Sequence, residues 1–526
     1  MATTRQFPLH ENLMGGAETT LPAHLLKGDQ WRTQHNFRLT PTLTQVPHKV
    51  VLLSGLGDLR WLGVIPGATQ GYGDAVALTP TSVLQKQSPA VWSPRATGLR
   101  DDGTFRCWST ALYNGQLYFV NELNALRVYN GGAVSLVTNA PAGRYLAFWF
   151  DHVVIGAPAG QPNQLVMSHL YDFTKWAPDP TNEADLYDFV EDQQADYPFT
   201  GLTGLGKLRG MLFVYTPTAI YPMQYVGLPK VWRVMDEGTV TRTGNTFPWT
   251  LVCLDTLHFF YDAVESMFYA FNGQEPVPIG EPVRAFIQAN LHPDVATAQK
   301  MYGYVDSDNR EIWWPFVSSA QAVGGPFDKA VVFNYRYKNW FTASIENVQC
   351  FCGGSKTTSP ISALLSNVTI SALPSDSSVL ANQIGQMGLD SVGLDRTFGT
   401  GGGQLLREEL ATDMASTLVS TYDSPVLESP DFHYGDIRTT KEVDAMILNS
   451  TAAAIEVRAA GRNFLGAKPT YPVDALALWK PTYPDAMVNF KALSGRILRY
   501  QFTFVGQRFV TFDAFSEGLL AEKAEK

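Results

Sequence analysis

Cysteine is scarce, with four residues in a chain of 526, and that excludes a scaffold built on disulfides. Cys107 and Cys253 stand alone. Cys350 and Cys352 are two apart, which on a strand puts both on one face. No second pair or nearby His completes a tetrahedral metal site there, so the four read as free thiols of a reducing compartment. Charge is sparse too, at 17% of residues, and positive charge is in deficit, leaving a formal net charge of −10. Such a balance argues against a surface that grips nucleic-acid phosphates, although it suits a wall along which DNA slides without sticking. Long hydrophobic runs are missing, and none approaches the ~20 residues of a transmembrane helix. The opening Met-Ala-Thr-Thr-Arg-Gln-Phe-Pro lacks the apolar centre of a signal peptide. The expectation is synthesis in a cytosol and no membrane span.

Recognisable chemistry is equally thin. There is no G-x-S-x-G elbow, Walker loop or zincin motif. The nine histidines, at 10, 24, 35, 48, 152, 169, 258, 292 and 433, are scattered, and they read as structural or surface residues. The run Gly204-Leu205-Gly206-Lys207-Leu208-Arg209-Gly210 approaches a dinucleotide fingerprint, but its last Gly is one place late and a strand follows it. Asp306-Ser307-Asp308-Asn309 resembles part of a calcium loop without the required Gly and distal Glu; it reads as a hairpin turn. Asp101, Asp102, Glu237, Asp262 and Glu265 could serve acid–base hydrolysis, yet nothing in the sequence brings two together. Asn367-Val368-Thr369 and Asn449-Ser450-Thr451 match glycosylation acceptors by chance, given the lack of a leader. The reading is a protein that is not an enzyme, with no cofactor and no metal.

What is present is strand chemistry. Phe, Tyr and Trp number 30, 22 and 12, and 44 Gly with 32 Pro punctuate the chain; aromatics fit a pleated sheet and the punctuation forbids long helices. From residue 105 a hairpin unit recurs. Its first strands are Leu117–Val120, Val153–Ile155, Met211–Val214, Leu257–Phe260 and Ile312–Trp314, and its second strands are Leu126–Tyr129, Gln164–Met167, Ala219–Tyr221, Met267–Phe271 and Val331–Tyr335. Four steps from Leu117 to Ile312 give a mean period of about 49 residues, the length of a propeller blade. Asn114-Gly115, Asn130-Gly131 and Asn272-Gly273 supply the positive φ angles of tight turns. The fold class expected is all-β: an irregular β-propeller of about five to seven blades with a further β-rich platform from the N- and C-terminal segments.

The domain boundaries follow composition. Residues 1–25 read as an N-terminal arm, 26–104 as an N-terminal β segment of the platform, 105–372 as the propeller, with a further blade through Val348–Cys352 and Val368–Ile370, 373–403 as a Gly/Ser-rich linker or loop, and 404–526 as the C-terminal platform. In the last part, Glu442–Leu448, Ala454–Arg458 and Arg499–Phe504 read as strands, and 516–526 as a charged terminal helix.

The stretch Lys207–Tyr221, followed by Asp236–Val240, Leu257–Tyr261 and Met267–Ile279, resembles the propeller of tail nozzle proteins of short-tailed bacteriophages, also called tail hub or DNA-stabilisation proteins. The hairpin from Val332–Tyr335 to Lys338–Trp340 and the segment Gly495–Phe502 fit the next blade and the closing strand of that family. The likeness is good over about 200–345 and one of layout elsewhere. It implies a virion protein made in the host cytoplasm, six copies of which form a ring beneath the head–tail adaptor. That ring conducts viral DNA without reading its sequence, is closed before ejection and carries tail fibres or tailspikes; no gate residue is implied. Two other readings fit a propeller: another phage tail or baseplate protein that binds fibres or host, and a carbohydrate-active enzyme.

Overall fold

The computed structural model describes residues 3–5, 13, 15–39, 43–45, 48–53, 59–65, 74–88, 91–103, 108–189, 201–228, 230–307, 309–355, 394–400, 405–409, 425–432, 440–450, 452, 454–464, 471, 476–479, 487–505, 511–517 and 520–523. Among the described residues six units of four antiparallel strands follow one another along the chain, and within each unit the neighbours in space are neighbours in sequence. The fourth unit is joined by a fifth strand, and the sixth is continuous with a larger sheet. The first is Trp61–Ile65, Asp74–Leu78, Val83–Ser88 and Val91–Ala96. The second is Ser109–Tyr113, Gln116–Asn121, Asn124–Tyr129 and Val134–Leu136, and the third Gly143–Trp149, His152–Pro158, Gln164–Met167 and Asp185–Asp188. Gly204–Leu208, Met211–Tyr215, Ala219–Tyr225 and Trp232–Val234 make the fourth, which Val240–Thr241 joins through the third of these strands. The fifth is Val252–Cys253, His258–Asp262, Met267–Phe271 and Pro276–Pro278; the sixth is Tyr304–Asp306, Glu311–Phe316, Phe327–Asn334 and Asn339–Ser355. The five hairpins legible in the sequence are the middle strands of sheets two to six.

Period-two alternation explains why those middle strands are mostly apolar on both faces. Leu117 and Phe119 of the second sheet pack on Val76, Leu78 and Val83 of the first, while Tyr118 and Val120 between them pack on Leu146, Phe148 and Val153 of the third. Both faces are covered, so neither can be polar. The pattern continues around the molecule. Trp149 and Val154 meet Leu212, Val214 and Trp232; Phe213 and Tyr215 meet Phe260, Tyr269 and Phe271; Phe259 and Phe268 meet Ile312, Trp314 and Trp340, with Val283 and Ile287 of the helix Glu281–Asn290 alongside.

The stack returns to its start. Cys350, in the long strand Asn339–Ser355, packs with Leu59, Leu62 and Ala77, on the face of the first sheet turned away from the second. The distal half of that strand pairs with Leu394–Thr400, which pairs with Leu405–Glu409, which pairs in turn with His48–Leu53 just ahead of the first sheet. A composite sheet from both ends of the chain thus closes the β-propeller and removes the exposed edges of an open stack.

The platform is two layers of β-sheet. One layer runs Thr33–His35, Val426–Glu428, Ile497–Val505, Ala454–Arg462, Leu476–Trp479. The other contains Thr3–Arg5, Leu520–Lys523, Thr440–Ser450, Thr511–Glu517, Leu43–Gln45 and Phe37–Leu39, with Met487–Gly495 also on Thr440–Ser450. Leu498, Tyr500, Phe502 and Phe504 point into the core between the layers with Ile455, Val457, Phe512 and Phe515, and Trp31 and Phe37 complete it.

The structure differs from the sequence reading at several boundaries. Residues 61–96, expected in the platform, are a propeller sheet. Its third strand reads Val-Leu-Gln-Lys-Gln-Ser and its edge strand carries Pro94, which an edge tolerates because no ladder bond is lost there. Of the segment 516–526, expected as a helix, the described residues are strand: Thr511–Glu517 and Leu520–Lys523. The arm is tied down, with Thr3–Arg5 paired to Leu520–Lys523 and the Ala17 and Thr19 N–H groups donating to the carbonyls of Trp340 and Pro282. Leu394–Thr400 of the expected linker is a strand of the closing sheet, as are Leu405–Glu409 of the expected platform and Val348–Cys352 of the expected further blade. Residues 356–393 and 401–404, including Val368–Ile370 and Asn367, lie outside the described residues, as do His10, Cys107 and His433.

Candidate functional site

The hairpin turns named from the sequence sit at two levels of the blades. Asn114 and Gly115 have φ of 48° and 72° and join the first two strands of the second sheet in a two-residue turn, Tyr113 facing Gln116. The Asn130 side chain accepts from the N–H groups of Gly132 and Ala133, and Gly131 has φ 94°. Asn272 accepts from Gln274 N–H, and Gly273 has φ 96°. The second and third turns connect the outer two strands of their sheets, so all three are structural turns of the kind their side chains favour.

Three polar constructions, none with a motif in the sequence, hold the body together. The first couples platform to propeller. His35 pairs in parallel with Thr342, making the platform and the sixth propeller sheet one hydrogen-bonded surface. The His35 ring bonds the hydroxyls of Thr342 (3.0 Å) and Ser344 (2.9 Å), and Asn36 accepts from Ser344 N–H at 2.8 Å. Beside them Arg38 of the platform lies 3.2 Å from Glu311 of the sixth sheet, both buried, and the Trp313 indole N–H donates to the other carboxylate oxygen at 2.9 Å. In a dry environment such a pair holds only with both partners present.

The second construction lies within the platform. Asp431 accepts from Arg499 Nε at 2.8 Å and from Arg462, while Glu428 accepts from Arg499 Nη1 at 3.1 Å and from the Tyr471 hydroxyl at 3.0 Å. Two carboxylates and two guanidinium groups balance, which is what allows them to be buried. Burial, followed by the charge of Glu428, pushes the Tyr471 phenol well up.

The third is the propeller's hub. Asn245, fully buried, donates to the carbonyls of Thr203 (3.3 Å) and Pro248 (3.1 Å) and accepts from the Thr250 hydroxyl at 3.0 Å. The Trp314 indole N–H reaches Thr250 O at 3.0 Å, so sheets four, five and six are pinned together. Trp249 packs against the core of sheets three and four and also against the Tyr302 and Trp313 cluster of sheet six. Its ring is 5.8 Å from that of Tyr145. From the start of sheet five, Trp249 thus bridges sheets three, four and six.

Residues considered for chemistry resolve into structural roles. His258 is buried, with Nε2–H donating to Lys207 O at 2.8 Å and Nδ1 accepting from the Tyr215 hydroxyl at 2.7 Å; burial lowers its pKa to about 4. His152 donates through Nδ1–H to Ser168 O at 2.7 Å, with Nε2 3.5 Å from Glu183, and burial lowers its pKa also. Asp262 and Glu265 share one hairpin turn. Asp262 accepts from Val264 N–H and burial raises its pKa, while Glu265 takes the Tyr269 hydroxyl. Asp306 caps its own turn by accepting from Asn309 N–H and side-chain N–H. Asp101 accepts from Gly103 N–H in a local turn. Among the described residues no group of three or more His, Cys, Asp or Glu side chains converges as a metal site, and no helix is long and apolar enough to cross a membrane.

No protein-family model matches the chain, and a search of curated proteins finds no match. Solved structures with similar folds include the WD40 β-propeller domain of Doa1 (8% identity, 68% of this chain, 96% of that chain, TM-score 0.37). Others are the Neurospora crassa Pan2 WD40 domain (7%, 71%, 98%, TM-score 0.37) and the computationally designed Ika8 protein (9%, 69%, 100%, TM-score 0.35). Likeness at this level transfers no activity. The strand order and the closed succession of cores described above make the chain an all-β protein with a β-propeller and a platform sheet from both termini.

Proposed function

We propose that the protein is the nozzle of a short phage tail, a ring-shaped conduit and gate for DNA below the head–tail adaptor. The observation that carries this reading is the hydrogen-bonded continuity between propeller and platform at His35 and Thr342, reinforced by Arg38–Glu311. A subunit of a pressurised tube must behave as one stiff body, and a shared sheet with a buried ion pair supplies that stiffness. In a ring of copies the conduit runs along the assembly axis, outside each subunit's own propeller. Six copies of a −10 chain would carry −60, a lining that repels DNA phosphates and lets DNA slide.

Electron microscopy of intact particles tests this. The expected result is a six-fold ring of this chain on the tail axis directly below the adaptor, with the platform and not the propeller around the DNA. Finding the chain off the axis, as a fibre or baseplate part, would replace the reading. So would a strictly monomeric protein that hydrolyses a glycan and is missing from particles.

A further inference from the structure

Two aromatic side chains stand out on the rim of the third sheet because their backbones are strained and their rings face solvent. The turn between Gly143–Trp149 and His152–Pro158 is Phe150-Asp151, with φ of 43° and 57°, where the second sheet uses Asn114-Gly115. Tyr171, at φ 58°, donates its backbone N–H to Asp151 O. A bulky residue at positive φ is an outlier that surrounding structure has to enforce. Packing gives no reason for it here, since Phe150 is 53% and Tyr171 69% exposed. Tyr225, 37% exposed, places its ring 5.8 Å from that of Phe150.

The hydroxyl groups at this rim are already engaged. Tyr225 donates to Glu183 at 3.0 Å, and Tyr113 donates to Asp151 at 2.8 Å. Hydrogen bonds from Tyr171 and then Tyr113 hold the Asp151 carboxyl below the usual carboxylate range, so it is ionised at neutral pH. A phenol that donates to a carboxylate has a more electron-rich ring. What the rim offers a partner is therefore ring faces beside two carboxylates, Asp151 and Glu183, with Lys207 the cation that acts on Asp151. Exposed rings flanked by carboxylates attract a cation. The segment 168–188 adds to the field, with five carboxylates against Lys175, itself paired with Asp172 at 3.2 Å.

We propose that Phe150, Tyr171 and Tyr225, with Asp151 and Glu183, form a docking site for an arginine- or lysine-bearing segment of a partner protein. The cationic side chain stacks on the rings and pairs with the carboxylates, while the strained turn keeps the rings in place before the partner arrives. The proposal stands whether or not the chain forms the ring described above.

The test uses the full chain carrying 4-fluorophenylalanine at position 150, with its fluorine resonance followed by NMR. Tetra-arginine peptide, tetraglutamine peptide and maltotetraose are the probes. The expected result is a saturable shift with tetra-arginine alone, weakened about 2–5-fold by Tyr225→Leu and weakened further by Asp151→Asn or by raised salt. Tyr171→Leu is the second ring variant, and an unchanged melting temperature shows that each variant is folded. A saturable shift with maltotetraose instead would overturn the proposal in favour of a glycan surface. Binding of tetra-arginine that neither ring variant weakens would reduce the site to a plain acidic patch, and no shift with any probe would also overturn it.

Discussion

Replacing Glu311 by glutamine should cost far more than so small a change suggests. The Glu311 side chain is fully buried and that of Arg38 is 9% exposed, with 3.2 Å between them. The glutamine amide can still accept from the Trp313 indole N–H, so packing and that bond survive. What is lost is the counter-charge of a guanidinium with almost no access to water. Removing one member of a buried pair costs about 3–5 kcal/mol, and the slight exposure of Arg38 favours the lower end, about 3 kcal/mol. For a cooperative unit of 150–250 residues that is a fall in melting temperature of about 6–12 °C. Arg38→Met should also destabilise, because it takes a counter-charge away from a fully buried carboxylate. The double variant Arg38→Met/Glu311→Leu leaves no buried charge and only an unpaired indole N–H, a loss of about 1–3 kcal/mol. Its loss should therefore be well below the sum of the single losses. Calorimetry and tryptophan fluorescence on heating measure all three. Additive single and double losses, or a Glu311→Gln loss under about 1 kcal/mol, would refute the claim that this pair bolts the platform to the propeller.

Three further outcomes follow from other parts of the body. His258 has a folded pKa of about 4 against ~6.5 when unfolded. The unfolded chain therefore takes up the proton first, and stability present above about pH 6.5 falls as pH drops towards 4, by roughly 3 kcal/mol; His258→Gln should flatten that part of the denaturant-midpoint profile, and an unchanged slope would refute it. Trp249→Ala should cost about 2–3 kcal/mol for a half-buried ring, with faster amide exchange in sheets three and six together, whereas a change confined to sheet five would contradict its place at the hub. Gly461→Ala puts a Cβ 2.0 Å from Ser494 O, so the strands must part, at about 1–3 kcal/mol, while Gly28→Ala, with open space around it, should be neutral in the same melting assay.

How far the sequence could be read depended on which faces of a strand are covered. Strands such as Leu117–Val120 and Met211–Val214 are sandwiched between sheets, so they are apolar at every position and announce themselves. The first sheet has a polar third strand and a proline in its edge strand, and local sequence offers no hint of its closure with Cys350. Leu520–Lys523 is charged and short, and it is a strand only because Thr440–Ser450 and Thr3–Arg5 flank it. The coupling of Arg38 to Glu311, and the meetings of Phe150 with Tyr225 and of Asp151 with Tyr171, join residues from different elements with no fixed spacing. Asn114-Gly115 was legible because turn chemistry is local; Phe150-Asp151 in the equivalent place breaks that chemistry, and only the backbone angles reveal it.

The closing sheet also sets a clock. His48–Leu53 pairs with Leu405–Glu409, so during synthesis the first strand waits while some 350 residues are made, roughly 20–70 s at ~5–20 residues per second. Until then the growing sheets form an arc with an open end, and the Leu62 and Ala77 face stays bare until Cys350 is made. A messenger cut short before the codon for residue 405 would yield an arc with no latch, a sticky product that the cell must clear.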